Sequence, residues 1–256
     1  LSRVFFLVLA RDHKHVDKKI EELEGLGLPY LIVCGERLGH PHVVYRKPLG
    51  KFDAVNFGAQ FLPNDANIVA LNDVDTEIHG LGAALRCFEK DVALVFLKVV
   101  VKGGPQGLFY SLLDSIRRRF PITASGELML MRSTVLSEVL PLKSCKAEDS
   151  YLLFKVLELG YGVTFCEESY VETERTKSAG KEESYKRRTV AGLYQALSYT
   201  RPPRSIRLFY ALLPLVSPLL LVLGKRGYHW MRGIQLGFLD YLRGDRTGLW
   251  QPTHME

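Results

Sequence analysis

Two aspartates one residue apart, Asp73-Val74-Asp75, close the apolar run Ile68-Val69-Ala70-Leu71-Asn72. A continuous apolar run of this length reads as a buried strand. Carboxylates at its end are costly to bury without a partner, and a divalent cation would satisfy them. Hard oxygen ligands suit Mg²⁺ or Mn²⁺, ions that commonly neutralise a diphosphate. The chemistry indicated is therefore work on a nucleotide or another phosphorylated substrate. Three further groups fit that theme. Glu148-Asp149 stands just before Leu152, Leu153, Val156 and Leu157, an apolar helical face. Acids there either meet the helix dipole or supply a general base aimed into a cleft. Lys51 follows Gly50, and Lys186-Arg187-Arg188 form a basic run. Each is either a solvated charge or a phosphate contact. Neither G-x-x-x-x-G-K-[ST] nor G-x-G-x-x-G occurs, so no standard phosphate loop is expected.

The elements that must position these groups alternate. Val4–Leu9, Tyr30–Cys34, His42–Tyr45, Ile68–Asn72, Val92–Val101, Leu128–Met131 and Tyr161–Cys166 are strand-like. Between them apolar residues recur at helical spacing: Val16, Ile20 and Leu23; Phe52, Val55, Ala59 and Leu62; Leu81, Ala84, Leu85 and Phe88. Alternation of this kind predicts an α/β fold with a mostly parallel sheet flanked by helices. Ligands then bind beyond the carboxyl ends of the strands, where Asp73 and Asp75 fall. The segment Lys102–Gly107 reads as a flexible glycine-rich loop.

The 256 residues suffice for one large domain, or for one domain with an appendage. Residues 1–180 carry 22 Lys and Arg against 23 Asp and Glu, whereas residues 181–256 carry 12 against 5. The basic excess thus belongs to the C-terminal part. Leu208–Gly224 is free of charge between Arg207 and Lys225, and its 17 residues lie at the lower edge of a bilayer span. Pro214 and Pro218 oppose a straight helix. Trp230, Ile234, Phe238, Tyr241 and Leu242 then repeat at helical spacing, as in an interfacial amphipathic helix. An anionic membrane fits this pattern better than nucleic acid; a helical hairpin packed on the catalytic domain is the plainer alternative. Residues 1–200 are expected to form the catalytic domain and 201–256 the tail. The scattered cysteines, Cys34, Cys87, Cys145 and Cys166, read as free thiols of a reducing compartment. The histidines lack H-x-x-x-H spacing, which disfavours zinc. His13 and His15 are expected to be solvated. Leu1-Ser2-Arg3 leads straight into a strand, without a cleavable signal pattern.

Four segments in order resemble the family 2 glycosyltransferases of the GT-A fold, over roughly residues 3–192. Gly50-Lys51-Phe52-Asp53-Ala54-Val55-Asn56-Phe57-Gly58 is similar to the family's G-K-x-x-A-x-N-x-G segment. Ile68–Asp75 resembles its strand ending in D-x-D. Ser125–Arg132 resembles its acceptor-side glycine and strand. Glu148–Leu152, with Leu159–Val163, resembles its E-D-x-x-L…G-Y segment. The resemblance implies inverting transfer of a sugar from a UDP- or GDP-sugar to a lipid-linked or glycan acceptor at the cytoplasmic face of a membrane. It implies metal on Asp75 with Asp73, and Asp149 as base. It also implies donor contacts from Ala10, Arg11, Glu36, Lys51, Asp73, Lys186 and Arg188. The first turn departs from the family's P-x-Y-N-E pattern and the second from D-D-x-S, leaving Glu36 as the nearest substitute for the base-reading acid. Tyr185–Thr189 stands where processive members carry Q-x-x-R-W, which favours a single-sugar transferase. Two rival classes remain: a non-catalytic membrane scaffold, and a phosphatase of the haloacid dehalogenase type, whose D-x-D-x-T is not matched because Thr76 follows Asp75 directly.

Overall fold

The computed structural model describes residues 3–89, 91–102, 106–174 and 178–244. Residues 103–105 of the expected glycine-rich loop and the last twelve residues of the tail lie outside that set. The first half of the chain runs β1 (Val4–Ala10), α1 (Val16–Leu26), β2 (Tyr30–Cys34), β3 (Val43–Tyr45), α2 (Lys51–Gly58), β4 (Ile68–Asp73), β5 (Thr76–His79) and α3 (Leu81–Arg86). The second half runs β6 (Val92–Lys102), α4 (Gln106–Arg117), β7 (Leu128–Arg132), α5 (Ser133–Val139), α6 (Glu148–Glu158), β8 (Gly162–Glu174), α7 (Ala179–Tyr199), α8 (Arg204–Val216) and α9 (Gly224–Leu242).

The strands form one sheet in the order β3-β2-β1-β4-β7-β6-β8-β5. The α/β class is as expected. The sheet is mixed: β7 runs against β4 and β6, and β5 runs against β8, while the other neighbours are parallel. The reversal of β5 has a local cause. β5 follows β4 after a turn of two residues, too short for a crossover.

Strand parity assigns each side chain to a face. Phe5, Leu7 and Leu9 of β1, with Val69 and Leu71 of β4, pack with α2, α5, α6, α7 and α8. Val4, Phe6 and Val8, with Ile68 and Ala70, pack with α1, α3 and α4. Burial on both faces explains why these strands read as unbroken apolar runs. Ile206 and Tyr210 of α8 and Ile234 of α9 join the first of these cores. Pro214 lies inside α8, and a 3-10 segment, Ser217–Leu223, follows it. The uncharged stretch is therefore not one straight helix, as its prolines predict. All four cysteines are free, and Cys34, Cys145 and Cys166 are buried.

Candidate active site

Parity continues past the apolar part of β4. Asp73 follows Val69 and Leu71 onto the α2/α6 side, and Asn72 faces the other way. The turn beyond is closed by side chains: Thr76 Oγ1 donates to the Asp73 carbonyl at 2.8 Å, and Asn72 Nδ2 donates to Thr76 Oγ1 at 2.8 Å. Asn72 Nδ2 also donates to the Glu127 carbonyl at 2.7 Å, as does the Asp73 N–H at 3.0 Å. Lys19, almost fully buried on α1, supports the turn from below. Its ammonium donates to the Thr76 carbonyl at 2.5 Å and to Glu22 at 2.6 Å. A lone lysine inside an amphipathic helix carries no sequence signal for that role.

Lys51 opens α2 directly after Gly50, whose φ of 144° and ψ of 159° belong to a region open in practice only to glycine. That backbone turns the first side chain of the helix onto Asp73. The Lys51 ammonium donates to both Asp73 carboxylate oxygens, at 2.6 and 2.5 Å, and lies 3.7 Å from Glu148. Lys51 thus sits on two carboxylates. Burial alone would lower its pKa; Asp73 and Glu148 outweigh that and hold the ammonium above the usual lysine range. Burial pushes the Asp73 carboxyl up to about 6 even against Lys51, with Asp75 adding to the rise. Burial likewise carries Glu148 up to about 7, with Lys51 opposing and Asp149 assisting. The two partners of the ion pair thus pull differently. Several acids share one ammonium, so the ammonium stays charged and the more distant acid, Glu148, keeps its proton longest.

Asp149 is the second residue of α6. Its Oδ1 accepts the Ser150 N–H at 2.7 Å. Burial raises its pKa, against that N–H and the charge of Lys51. Gly126 stands in front of it: a Cβ there would lie 3.1 Å from both Cβ and Oδ2 of Asp149. The glycine leaves room beside the carboxylate that any larger residue would fill.

Asp75 contrasts with all of these. Among the described residues no hydrogen bond or ion pair reaches its carboxylate. It lines an open cleft of about 240 Å³ with Lys14, Lys18, Thr76, Glu77 and Lys102. A second acidic group borders this cleft. Glu77 and His79 of β5 and Glu172 of β8 bring ligand-type atoms within 4.8 Å of one another, an arrangement able to hold a divalent metal. The Lys102 ammonium pairs with Glu172 and lies 3.7 Å from Glu77. His79 stacks on Tyr170 at 4.7 Å. The histidine spacing in sequence could not reveal this group, because it is assembled across two strands.

The remaining expected contacts fall as follows. Ala10 is buried at the end of β1, and its carbonyl accepts the Gly35 N–H at 3.0 Å, which joins the β1 and β2 turns. Arg11 is half-buried beside it. Glu36 accepts from His13, whose Nδ1 lies 2.6 Å away and whose N–H lies 3.2 Å away. His13, expected to be solvated, is exposed yet partnered. Its hydrogen bond lowers the pKa of Glu36 and raises its own. Lys186 is buried, with its ammonium 5.8 Å from the Tyr110 ring centre and 5.6 Å from that of Tyr185. Arg188 lies over Tyr185 at 5.7 Å. Arg187 between them clamps α9 through a bidentate pair with Asp240, at 2.5 and 2.7 Å.

No family model matches this sequence, and no curated protein does. Solved structures give partial likenesses. M. tuberculosis glucosyl-3-phosphoglycerate synthase is 15% identical with a TM-score of 0.49, over 79% of this chain and 82% of that one. The catalytic domain of Drosophila beta1,4-galactosyltransferase 7, in complex with xylobiose, is 14% identical with a TM-score of 0.42, over 64% of this chain. The match covers 65% of that galactosyltransferase chain, under two thirds of its length. A glucose-1-phosphate thymidylyltransferase structure from Bacillus anthracis is 12% identical with a TM-score of 0.42, over 80% of this chain and 99% of that one. At these identities and scores none of the likenesses assigns an activity to this chain.

Proposed function

We propose that the chain is a metal-dependent glycosyltransferase of the GT-A type, similar to family 2, that moves one sugar with inversion from a UDP- or GDP-sugar. The observation that carries this reading is the division of labour within Asp73-Val74-Asp75. Lys51 already neutralises Asp73, while Asp75 faces the cleft without a described partner. Asp75 therefore offers the oxygen donors that suit Mg²⁺ or Mn²⁺, and Asp73 supports it from the β4 end. When bound, such an ion would act as a Lewis acid that offsets charge on the leaving diphosphate.

The chain's own residues supply the rest. Asp149, with the space left by Gly126 in front of it, accepts the proton of an acceptor hydroxyl at Oδ2 as that oxygen attacks the anomeric carbon. Attack comes from the face opposite the departing diphosphate. Lys51 fixes Asp73 and Glu148, which keeps both strand end and helix start in register. Ala10, Arg11 and Glu36 lie on the turns proposed to receive the nucleotide base, while Lys186 and Arg188 extend the positive side. A lipid-linked or glycan acceptor enters beside Gly126. The absence of Q-x-x-R-W at Tyr185–Thr189 supports single transfer over polymerisation. A phosphatase is disfavoured because its first aspartate must be free to attack phosphorus, and Asp73 is held by Lys51.

The test is a panel of UDP- and GDP-sugars incubated with Mn²⁺, reading release of the nucleoside diphosphate. Metal-dependent release from one donor is expected. Phosphate release from simple esters would indicate a phosphatase. No release, with no stabilisation by any nucleoside diphosphate, would indicate a scaffold.

A further inference from the structure

We infer that α8 and the 3-10 segment Ser217–Leu223 form a wedge that inserts into one leaflet of an anionic membrane without crossing it, and that Tyr210 ties this wedge to the acceptor side of the site. The docking stands independently of the proposed transfer; its consequence, a lipid-borne acceptor, rests on that reading.

Five apolar residues, Leu208, Leu212, Leu215, Leu219 and Val222, recur at spacings of four and three along one exposed edge. Leu215, Leu219 and Val222 are 75%, 71% and 87% exposed. A contiguous exposed apolar ridge marks an interaction surface. The charges around it select the partner. From residue 184 to 239 the chain has nine Lys and Arg and no Asp or Glu. Arg204 and Arg207 flank the start of the ridge, and Lys225 and Arg226 flank its end. An apolar tip within a basic collar is complementary to acyl chains beneath anionic headgroups.

The segment Arg204–Leu242 is long and apolar enough to cross a membrane by length and composition alone. Its packing opposes a crossing. Pro214 lies inside α8 and the 3-10 segment Ser217–Leu223 follows it, so the apolar stretch is not one straight spanning helix. The chain then doubles back onto itself. A Cβ at Gly227 of α9 would lie 1.7 Å from the Leu220 carbonyl oxygen. Further along, α9 is locked to α7 by the Arg187–Asp240 pair and by the Trp230 indole donating to Glu182. Both ends of the apolar segment are thus held on one side.

The inner edge of α8 reaches the acceptor side. Tyr210 Oη donates to the Ile122 carbonyl at 2.7 Å, and the Tyr210 carbonyl accepts from Tyr194 Oη at 2.7 Å. Arg117 holds the next two carbonyls, Thr123 at 3.1 Å and Ala124 at 3.2 Å. The strand of chain leading to Gly126 is therefore suspended between α4 and the wedge. Tyr210 is a positioning residue for the acceptor.

The experiment is vesicle flotation of the full chain, with phosphatidylcholine vesicles and with vesicles carrying 30% phosphatidylglycerol. Binding to the anionic vesicles is expected. The triple variant Leu215→Glu/Leu219→Glu/Val222→Glu should bind at least tenfold less, with an unchanged unfolding midpoint because all three side chains are exposed. A C-terminal tag should remain open to protease added outside the vesicles. A protected tag would mean a span and overturn the inference. So would undiminished binding by the triple variant, or a lipid-free dimer that the triple variant splits. Tyr210→Phe should float normally and raise the acceptor KM several-fold with the donor KM unchanged; an equal rise in both would remove Tyr210 from this role. Nucleotide binding read by thermal shift is independent of flotation, so the docking and the transferase reading fail separately.

Discussion

Two clusters of acids flank the same turn, and each holds a lysine. At the β4 end, Lys51 grips Asp73 and approaches Glu148, and the side chains keep only 13–23% of their surface in contact with water. On the β5/β8 edge, Lys102 is half exposed and grips Glu172 beside Glu77 and His79. The charges are alike; the surroundings are opposite. Burial drives Asp73 and Glu148 upward in pKa, whereas Lys102 and Lys18 hold Glu77 below its usual range. Water screens the outer cluster, so its ion pairs are close to neutral in energy. The inner cluster has traded hydration for direct pairing, and a lost partner there leaves a buried charge. A carboxylate whose counter-charge is fixed by the fold is thus held in place, whereas carboxylates at the open edge share their counter-charge with water.

The largest expected effect breaks the inner cluster. Lys51→Met should lower the unfolding free energy by about 2–3 kcal/mol, less than a fully sealed pair would lose. Urea unfolding measures it; a change indistinguishable from zero would mean that Lys51 is not the fixed counter-charge. Next comes Asp149→Asn, expected to cut transfer by about 10²–10⁴-fold while nucleoside diphosphate binding stays within twofold. Retained turnover would remove Asp149 as the base. A smaller effect is pH dependence. Asp73 rises from 3.8 to about 6 and Glu148 from 4.5 to about 7 in the fold. The folded state then holds protons that the unfolded state has released, so these two groups favour folding least above pH 7. Their contribution is fully present below about pH 4 and fades as pH rises through 7. Glu148→Gln should flatten the upper part of that decline in unfolding curves between pH 5 and 8; an unchanged slope would contradict the assignment. Transfer should rise with pH as Asp149, whose pKa burial also raises, loses its proton. The smallest effect is at the outer cluster, where Lys102→Met should leave the unfolding midpoint unchanged.

The sequence carries the sheet strands because burial on both faces writes an unbroken apolar run. It does not carry β5: Thr76-Glu77-Ile78-His79 has one apolar residue in four, and its pairing with β8 is decided by the turn that Thr76 and Asn72 close. With β5 goes the group Glu77, His79 and Glu172, which exists only once the two strands meet. The first half of α7 was equally hidden, since Lys181, Glu182 and Glu183 have no helical apolar stripe; α9 supplies the partners that hold it. At the site, D-x-D and E-D were visible as carboxylates awaiting neighbours. That Lys51 sits on Asp73 was not, because it depends on the backbone angle of Gly50, which a residue name alone permits but does not specify.

The central proposal is that Asp75, and not the β5/β8 edge, would hold the metal. Titration of Mn²⁺ in the presence of UDP or GDP, with free Mn²⁺ followed by electron paramagnetic resonance, tests it most directly. The comparison needs the wild type, Asp75→Asn, and the double variant His79→Ala/Glu172→Gln. The account predicts at least a tenfold loss of affinity for Asp75→Asn and none for the double variant. The reverse order would contradict it.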